Sequence, residues 1–304
     1  MMTELRFHRK GTEAEKAMQV RGRRVPLLVF PELEKTGVVR HAFTTRAGGV
    51  SEGIFSTLNL SFSRGDEEAA VRENFRRVAE ELGVTEDRFV FSDQTHTTNV
   101  RAVTEADAGK GLTRPKDYRD VDALVTDVPR LVLSVFTADC VPVFLVDPVR
   151  RAVGLAHSGW RGTAGRITAR TLEEMTRRYG TDPADVLCGI APSICRDCYE
   201  ISRDVAEVFG REFAGHEEEI LTSPLQARGG ETVSVTEILA SGGPEDKFHL
   251  DLWETNKIVL KEAGVQPAHI SVTDICTCCD PALLFSHRAS HGKRGNLGAF
   301  LMLN

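Results

Sequence analysis

The 304-residue sequence predicts an α+β protein, a single domain with a central mixed β-sheet flanked by helices. Short apolar runs rich in Val, Leu and Phe dominate the middle of the chain. Amphipathic helical patterns fall between some of these runs without strict alternation, which argues against a doubly wound parallel sheet. No internal repeat and no Pro/Ser linker divides the chain.

Residues 1–24 carry alternating charge without a period and read as an N-terminal extension or an edge hairpin, leaving 25–304 as the domain proper. VPLLVF and VVRHAFTTR have strand character and lead into the Gly-rich turn AGGVSEG. DEEAAVRENFRRVAEELGV reads as a helix. Asp66 is placed to cap it, Val71, Phe75, Val78 and Leu82 share one face, and Gly83 ends it. RFVFSDQTH is the next strand, and the polar stretch from Asp107 to Asp120, broken by Gly and Pro, is a surface loop. VDALVTD, LVLSVFTAD, VPVFLVD and AVGLAH are the most apolar segments and belong in the middle of the sheet. Three further helices are expected, over ITARTLEEMTRRYG, EISRDVAEVFGREF and LDLWETNKIVLKEAG, with strands at VLCGI and ISVTDIC. The tail LLFSHRASHGKRGNLGAFLML reads as strand, basic Gly-rich loop and last strand.

A hydrophobic fraction of 41% and a charged fraction of 27% are those of a soluble globular protein. The net charge of -6 gives nucleic acid no electrostatic case as a partner. No apolar run approaches the roughly 20 residues of a membrane helix, and the N-terminus is too polar for a signal peptide. A cytoplasmic protein is expected. Without a heptad or a self-complementary surface, a monomer is expected too. Seven cysteines, an odd number at irregular spacing, do not suit a secreted disulfide framework.

Three polar residues stand at the ends of apolar runs: His96 in SDQTH, Cys140 in FTADC and His157 in GLAH. Two imidazoles and a thiolate suit Zn²⁺, and three protein ligands would leave a position for water or substrate. Zinc there would lower the pKa of a bound water to about 7. Taken alone, each residue is equally well a buried hydrogen-bonding group. Cys140 and His157 also read as a nucleophile and its base, with Asp139 or another acid orienting the imidazole. His96 discriminates, because a metal site needs it and a dyad does not. HSGWRGTAGR places small residues before a helix, and is either an anion site of free N–H groups to which Arg161 and Arg166 add charge or a Gly-rich turn needed only for tight packing. Arg46, beside two glycines in TTRAGGVS, either holds phosphate or closes a turn. Cys195 and Cys198 form a C-x-x-C, and Cys276, Cys278 and Cys279 a dense cluster. Together they could bind a structural zinc or form a redox pair, but poor metal spacing in C-T-C-C and the lack of a thioredoxin-like setting leave burial as small hydrophobes the default for these five.

In order along the chain, TTRAGGVS, VRENFRRVAEELGV, DQTH, DALVTD, TADCVPV, AHSGWRG, APSICRDCYE, LDLWETN and CT…FSHR resemble the blocks of the YfiH-like, laccase-domain family. Its members also go by multicopper polyphenol oxidase and peptidoglycan editing factor PgeF. The resemblance runs from about Val38 to the C-terminus. It implies a zinc-dependent purine nucleoside enzyme, acting by phosphorolysis of adenosine, inosine and methylthioadenosine and by deamination of adenosine. It implies that His96, Cys140 and His157 are the metal ligands, that Arg46 contacts phosphate or substrate, and that Asp139 lies beside the ligands or faces substrate. The small-molecule partners are then purine nucleosides and phosphate. The alternative is a cysteine hydrolase or amidase acting on a cell-wall precursor. A multicopper oxidase would resemble its kind in carrying several H-x-H pairs, which this chain lacks, although a His₂Cys set accepts Cu²⁺ as well as Zn²⁺. Three departures stand out. Thr97 replaces a glycine, FSHRASHGKRGN lacks two arginines and an acidic residue of the family run, and Cys195 and Cys278 are additions.

Overall fold

A computed structural model describes residues 5–11, 18–227 and 233–304. Its strands are β1 (Gln19–Arg21), β2 (Leu27–Val29), β3 (Val39–Thr44), β4 (Phe89–Phe91), β5 (Val100–Ala102), β6 (Ala123–Thr126), β7 (Val132–Thr137), β8 (Val141–Asp147), β9 (Ala152–Ser158), β10 (Leu187–Ile190), β11 (Glu200–Ser202), β12 (Leu221–Thr222), β13 (Lys247–Leu250), β14 (Ile270–Val272) and β15 (Leu297–Leu303).

The α+β class with mixed strand pairing is as expected, but the strands assigned to one central sheet divide between two. One six-stranded sheet has the order β1-β2-β3-β15-β7-β4, the other β14-β10-β8-β9-β6-β5, and β11-β13-β12 form a small third sheet. Three neighbour pairs are parallel, β4 with β7, β5 with β6 and β10 with β14.

The two large sheets pack face to face. Phe43, Leu133, Val135, Leu301 and Leu303 of the first meet Phe144, Val146, Val153 and Leu155 of the second in one buried cluster. The outer face of the first sheet, with Val132, Phe300 and Met302, is covered by Val71, Phe75, Val78 and Leu82 of the helix Glu68–Leu82. The outer face of the second, with Val143, Leu145 and Ala156, is covered by the helices Ile167–Tyr179 and Leu252–Glu262. Both sheets are therefore buried on both sides. That is why their strands read as unbroken apolar runs even though most of the pairing is antiparallel.

Several local expectations are revised. Asp66 does not cap the helix Glu68–Leu82, because its carboxylate accepts from Asn59 Nδ2 and from the Glu67 N–H. Gly83 does end that helix, at φ 66°. WRGTA, expected to precede a helix, is itself the short helix Trp160–Ala164. LLFS is a turn rather than a strand. Gln19–Arg21 pairs antiparallel with β2 at the edge of the first sheet. No helix among the described residues is long and apolar enough to cross a membrane.

β7 belongs to the first sheet and β8 to the second, so TADC is where the chain steps from one sheet to the other. Asp139 makes the turn at φ 89°, a left-handed conformation uncommon for a non-glycine residue.

Candidate metal centre

The crossover delivers Cys140 to the end of the inter-sheet core, β9 carries His157 to the same end, and the loop after β4 brings His96. The three potential ligand atoms lie within 4.8 Å of one another. Cys140 Sγ stands 3.9 Å from His96 Nε2, and the two imidazole rings cross at 75° with centroids 5.1 Å apart. His96 is exposed, Cys140 half-buried and His157 buried.

Asp122, immediately before β6, organises this arrangement. Its buried carboxylate accepts the His157 Nδ1–H at 2.9 Å, which turns Nε2 toward Cys140. The same carboxylate accepts the backbone N–H groups of Thr95, His96 and Thr97 at 3.1, 3.1 and 2.8 Å. These bonds hold the loop that carries His96 at φ 65°. Thr97 adds its hydroxyl at 2.9 Å, a bond that the glycine of the family pattern could not make. Burial alone would raise the Asp122 carboxyl, but His157 and the N–H donors outweigh it and hold it well below the usual carboxylate range. Sequence reasoning passed over Asp122. Its only visible signal is a carboxylate directly before an apolar strand in DALVTD.

Burial likewise raises the Cys140 thiol, while the charge of His157 and hydrogen bonds from both imidazoles pull it down to about 6. His157, lowered by burial, is raised by Cys140 and Asp122 to about 9. A thiolate beside two imidazoles is the donor chemistry that zinc takes, and a carboxylate behind the histidine is its usual support. Gly159 leaves the necessary room, since a Cβ there would lie 2.8 Å from His96 Cδ2 and 3.1 Å from Cys140 Sγ. The residues fit a three-ligand metal site with an open position.

The centre forms the floor of a cavity of about 430 Å³. Leu60, Phe62, Phe91 and Phe136 give it apolar wall, while Arg64 and Arg294 bring positive charge. Arg294 donates to Asn296 Oδ1 and Gly295 O, and its buried Nε has no partner. Burial and the neighbouring Arg64 lower it to about 10. The altered segment FSHRASHGKRGN thus still supplies an arginine to the cavity, from KRG.

The remaining candidates lie elsewhere. Arg46 donates to the carbonyls of Ser56 at 2.9 Å and Pro281 at 2.6 Å, and its guanidinium lies 4.4 Å from the Phe285 ring centroid. It closes a turn and does not line the cavity. Asp139 turns away from the cavity lining, accepting from Thr277 Oγ1 at 2.6 Å and from the Arg288 N–H at 2.7 Å. Arg161 sits over the Trp160 ring at 4.2 Å and Arg166 pairs with Glu262, and neither lines the cavity.

Residues 40–304 match the family model described as multi-copper polyphenol oxidoreductase laccase. The chain belongs to that family. Among relatives of this laccase family, a purine nucleoside phosphorylase YlmD of Geobacillus stearothermophilus is 37% identical over 85% of this chain and 88% of its own. An adenosine deaminase RL5 from an unknown prokaryotic organism is 33% identical over 84% of this chain and 93% of its own. The crystal structure of the hypothetical protein YfiH of Bacillus licheniformis superposes with a TM-score of 0.82 at 33% identity, covering 94% of this chain and 99% of that one.

Proposed function

We propose that the chain is a zinc-dependent purine nucleoside phosphorylase that also deaminates adenosine. Adenosine, inosine and methylthioadenosine are its substrates, and His96, Cys140 and His157 its metal ligands. One observation carries the reading: a three-ligand centre and two guanidinium groups without ion-pair partners among the described residues share one cavity of nucleoside size. Phosphorylases and a deaminase among the relatives support the substrate class.

In phosphorolysis a phosphate oxygen bonds to C1′, the C1′–N9 bond breaks, and its electron pair leaves with the purine, which takes a proton. Arg64 and Arg294 are suited to hold the phosphate dianion against C1′, and the Phe62, Phe91 and Phe136 walls to hold the base. In deamination water adds at C6 and ammonia leaves. Zinc bound at the centre would supply Lewis-acid polarisation and acidify a water. Asp122 would keep the His157 imidazole aimed at the cavity throughout. We place the enzyme in the cytoplasm as a monomer, where phosphate is abundant and its thiols stay reduced.

A second reading, a cysteine hydrolase acting on a cell-wall precursor, is favoured by the low Cys140 pKa and by the Cys140–His157–Asp122 chain of contacts. Metal content and release of hypoxanthine and ribose 1-phosphate from inosine separate the two. Under the leading proposal His96→Ala, Cys140→Ser and His157→Ala each lose metal and activity while remaining folded. Full activity in metal-free His96→Ala would sink it in favour of the dyad. Arg294→Gln should raise the KM for phosphate about 10-fold, from the loss of one charge-assisted contact, with metal content intact.

A further inference from the structure

Four of the cysteines expected to be buried as small hydrophobes converge instead. The sulfurs of Cys195, Cys198, Cys276 and Cys279 all lie within 4.8 Å of one another. Counted from Cys276 to Cys279, the C-T-C-C run is itself a C-x-x-C, so the cluster joins two such turns. The turns follow β10 and β14, which are parallel neighbours, and a further bridge pairs Ser193 with Cys276 beyond the strand ends. We propose that these four thiols bind a second, structural zinc ion, separate from the His96–Cys140–His157 centre.

The geometry suits tetrahedral thiolate zinc. With Zn–S bonds of about 2.3 Å, ligand sulfurs stand about 3.8 Å apart, and Cys198 Sγ lies 3.6 Å from Cys279 Sγ. A disulfide would need about 2.05 Å between partners, and all four cysteines are free. In the first turn the Cys198 N–H donates to the Cys195 carbonyl at 3.1 Å, which closes the turn and brings the two side chains to one side. The Cys195 N–H donates to Cys276 Sγ at 3.2 Å. N–H donors aimed at sulfur stabilise thiolate, the form a metal takes. Four thiolates around Zn²⁺ leave an excess negative charge, and the Lys10 ammonium, paired with Asp197 at 3.1 Å, lies close enough to feel Cys195 and Cys279.

Such an ion would be linked to the crossover before Cys140 through Thr277 and Asp139. Thr277, between two of the ligands, donates to Asp139, and the Arg288 guanidinium donates to Cys198 O at 3.3 Å and Glu200 O at 2.8 Å. The Thr277 hydroxyl and the Arg288 backbone N–H, which donates to Asp139 at 2.7 Å, brace the crossover that presents Cys140. The ion therefore positions the centre without touching substrate.

The test is zinc stoichiometry in chain purified without chelator. His96→Ala/His157→Ala, stripped of the first centre, should retain roughly one zinc per chain. An organomercurial should release that zinc to a chromogenic chelator as four thiols titrate. Adding Cys198→Ser and Cys279→Ser should abolish the release, whereas adding Cys278→Ser should leave it unchanged. The proposal is overturned if the double histidine variant holds no mercurial-releasable zinc. It is also overturned if the unreduced, denatured chain is lighter by the hydrogens of one or two disulfides, or if Cys278→Ser loses the ion. Should the fourfold variant fail to fold, the mercurial titration of the double histidine variant decides alone.

Discussion

Asp122 makes the centre depend on a residue that would never touch the metal. Every group facing its carboxylate is a donor: three backbone N–H groups, a hydroxyl and an imidazole N–H. Asn at this position keeps the shape but turns an amide N–H toward those donors, leaving some of them buried and unpaired. Asp122→Asn should therefore weaken metal binding about 10- to 100-fold, read by competition against a chelator of known affinity, with the circular dichroism of the fold retained. Gly159→Ala attacks the same centre by volume, since its Cβ enters the space that His96 and Cys140 share. It should lower metal content without changing the shape of the unfolding transition. His96, Cys140 and His157, which the fold brings together, stand out in the sequence as polar residues ending apolar runs. Asp122 was not, because a carboxylate before a strand looks the same whether it caps a turn or gathers a loop.

Among the elements, the helix Glu68–Leu82 ties stability to the cavity. Phe75 is fully buried, and its ring lies 5.7 Å from Phe62, 5.1 Å from Phe91 and 5.9 Å from Phe136, three residues of the cavity wall. Phe75→Ala should cost about 3–5 kcal/mol of unfolding free energy, measured by denaturant titration, and should raise the KM for nucleoside as the wall behind the base loosens. Helix periodicity was plain in the sequence because one face is polar: Val71, Phe75, Val78 and Leu82 recur against a charged background. The strands offered no such contrast. In β8 and β9 every residue is buried, so their sequences do not record which sheet either belongs to or which side faces the other sheet. The phosphate-binding roles expected of Arg46 and Arg161 illustrate a related limit. A glycine-rich turn with an arginine has the same sequence whether its guanidinium meets an anion or, as with Arg46, the carbonyls of Ser56 and the distant Pro281.

At the scale of the whole molecule, an ionisable ring, that of His41, is buried between the two large sheets. His41 of β3 packs against Phe30 and Phe144, and its Nε2 accepts the Phe30 N–H at 2.8 Å. Burial lowers its pKa from 6.5 to about 3. Below pH 6.5 the unfolded chain takes up a proton here that the folded chain refuses, so this group destabilises the fold as pH falls toward 3. The loss is at most about 1.4 kcal/mol per pH unit. His157 shifts in the opposite direction, so the measurement is the difference between wild type and His41→Gln, which keeps an acceptor for Phe30. Between pH 7 and pH 5 the wild type should lose about 2 kcal/mol more than the variant; parallel pH profiles would refute the assignment.

The position of β15 bears on how the chain is made. Residues 297–303 lie between β3 and β7 in the interior of the first sheet, pairing antiparallel with both. During synthesis that gap stays open until residues 297–303 have left the ribosome, well after β3 and β7 have emerged. The edges of β3 and β7, built to be covered, are meanwhile exposed to other nascent chains. His96, Cys140 and His157 all emerge before the sheet can close. Closing the first sheet thus means inserting a strand into a slot between two strands that were made much earlier.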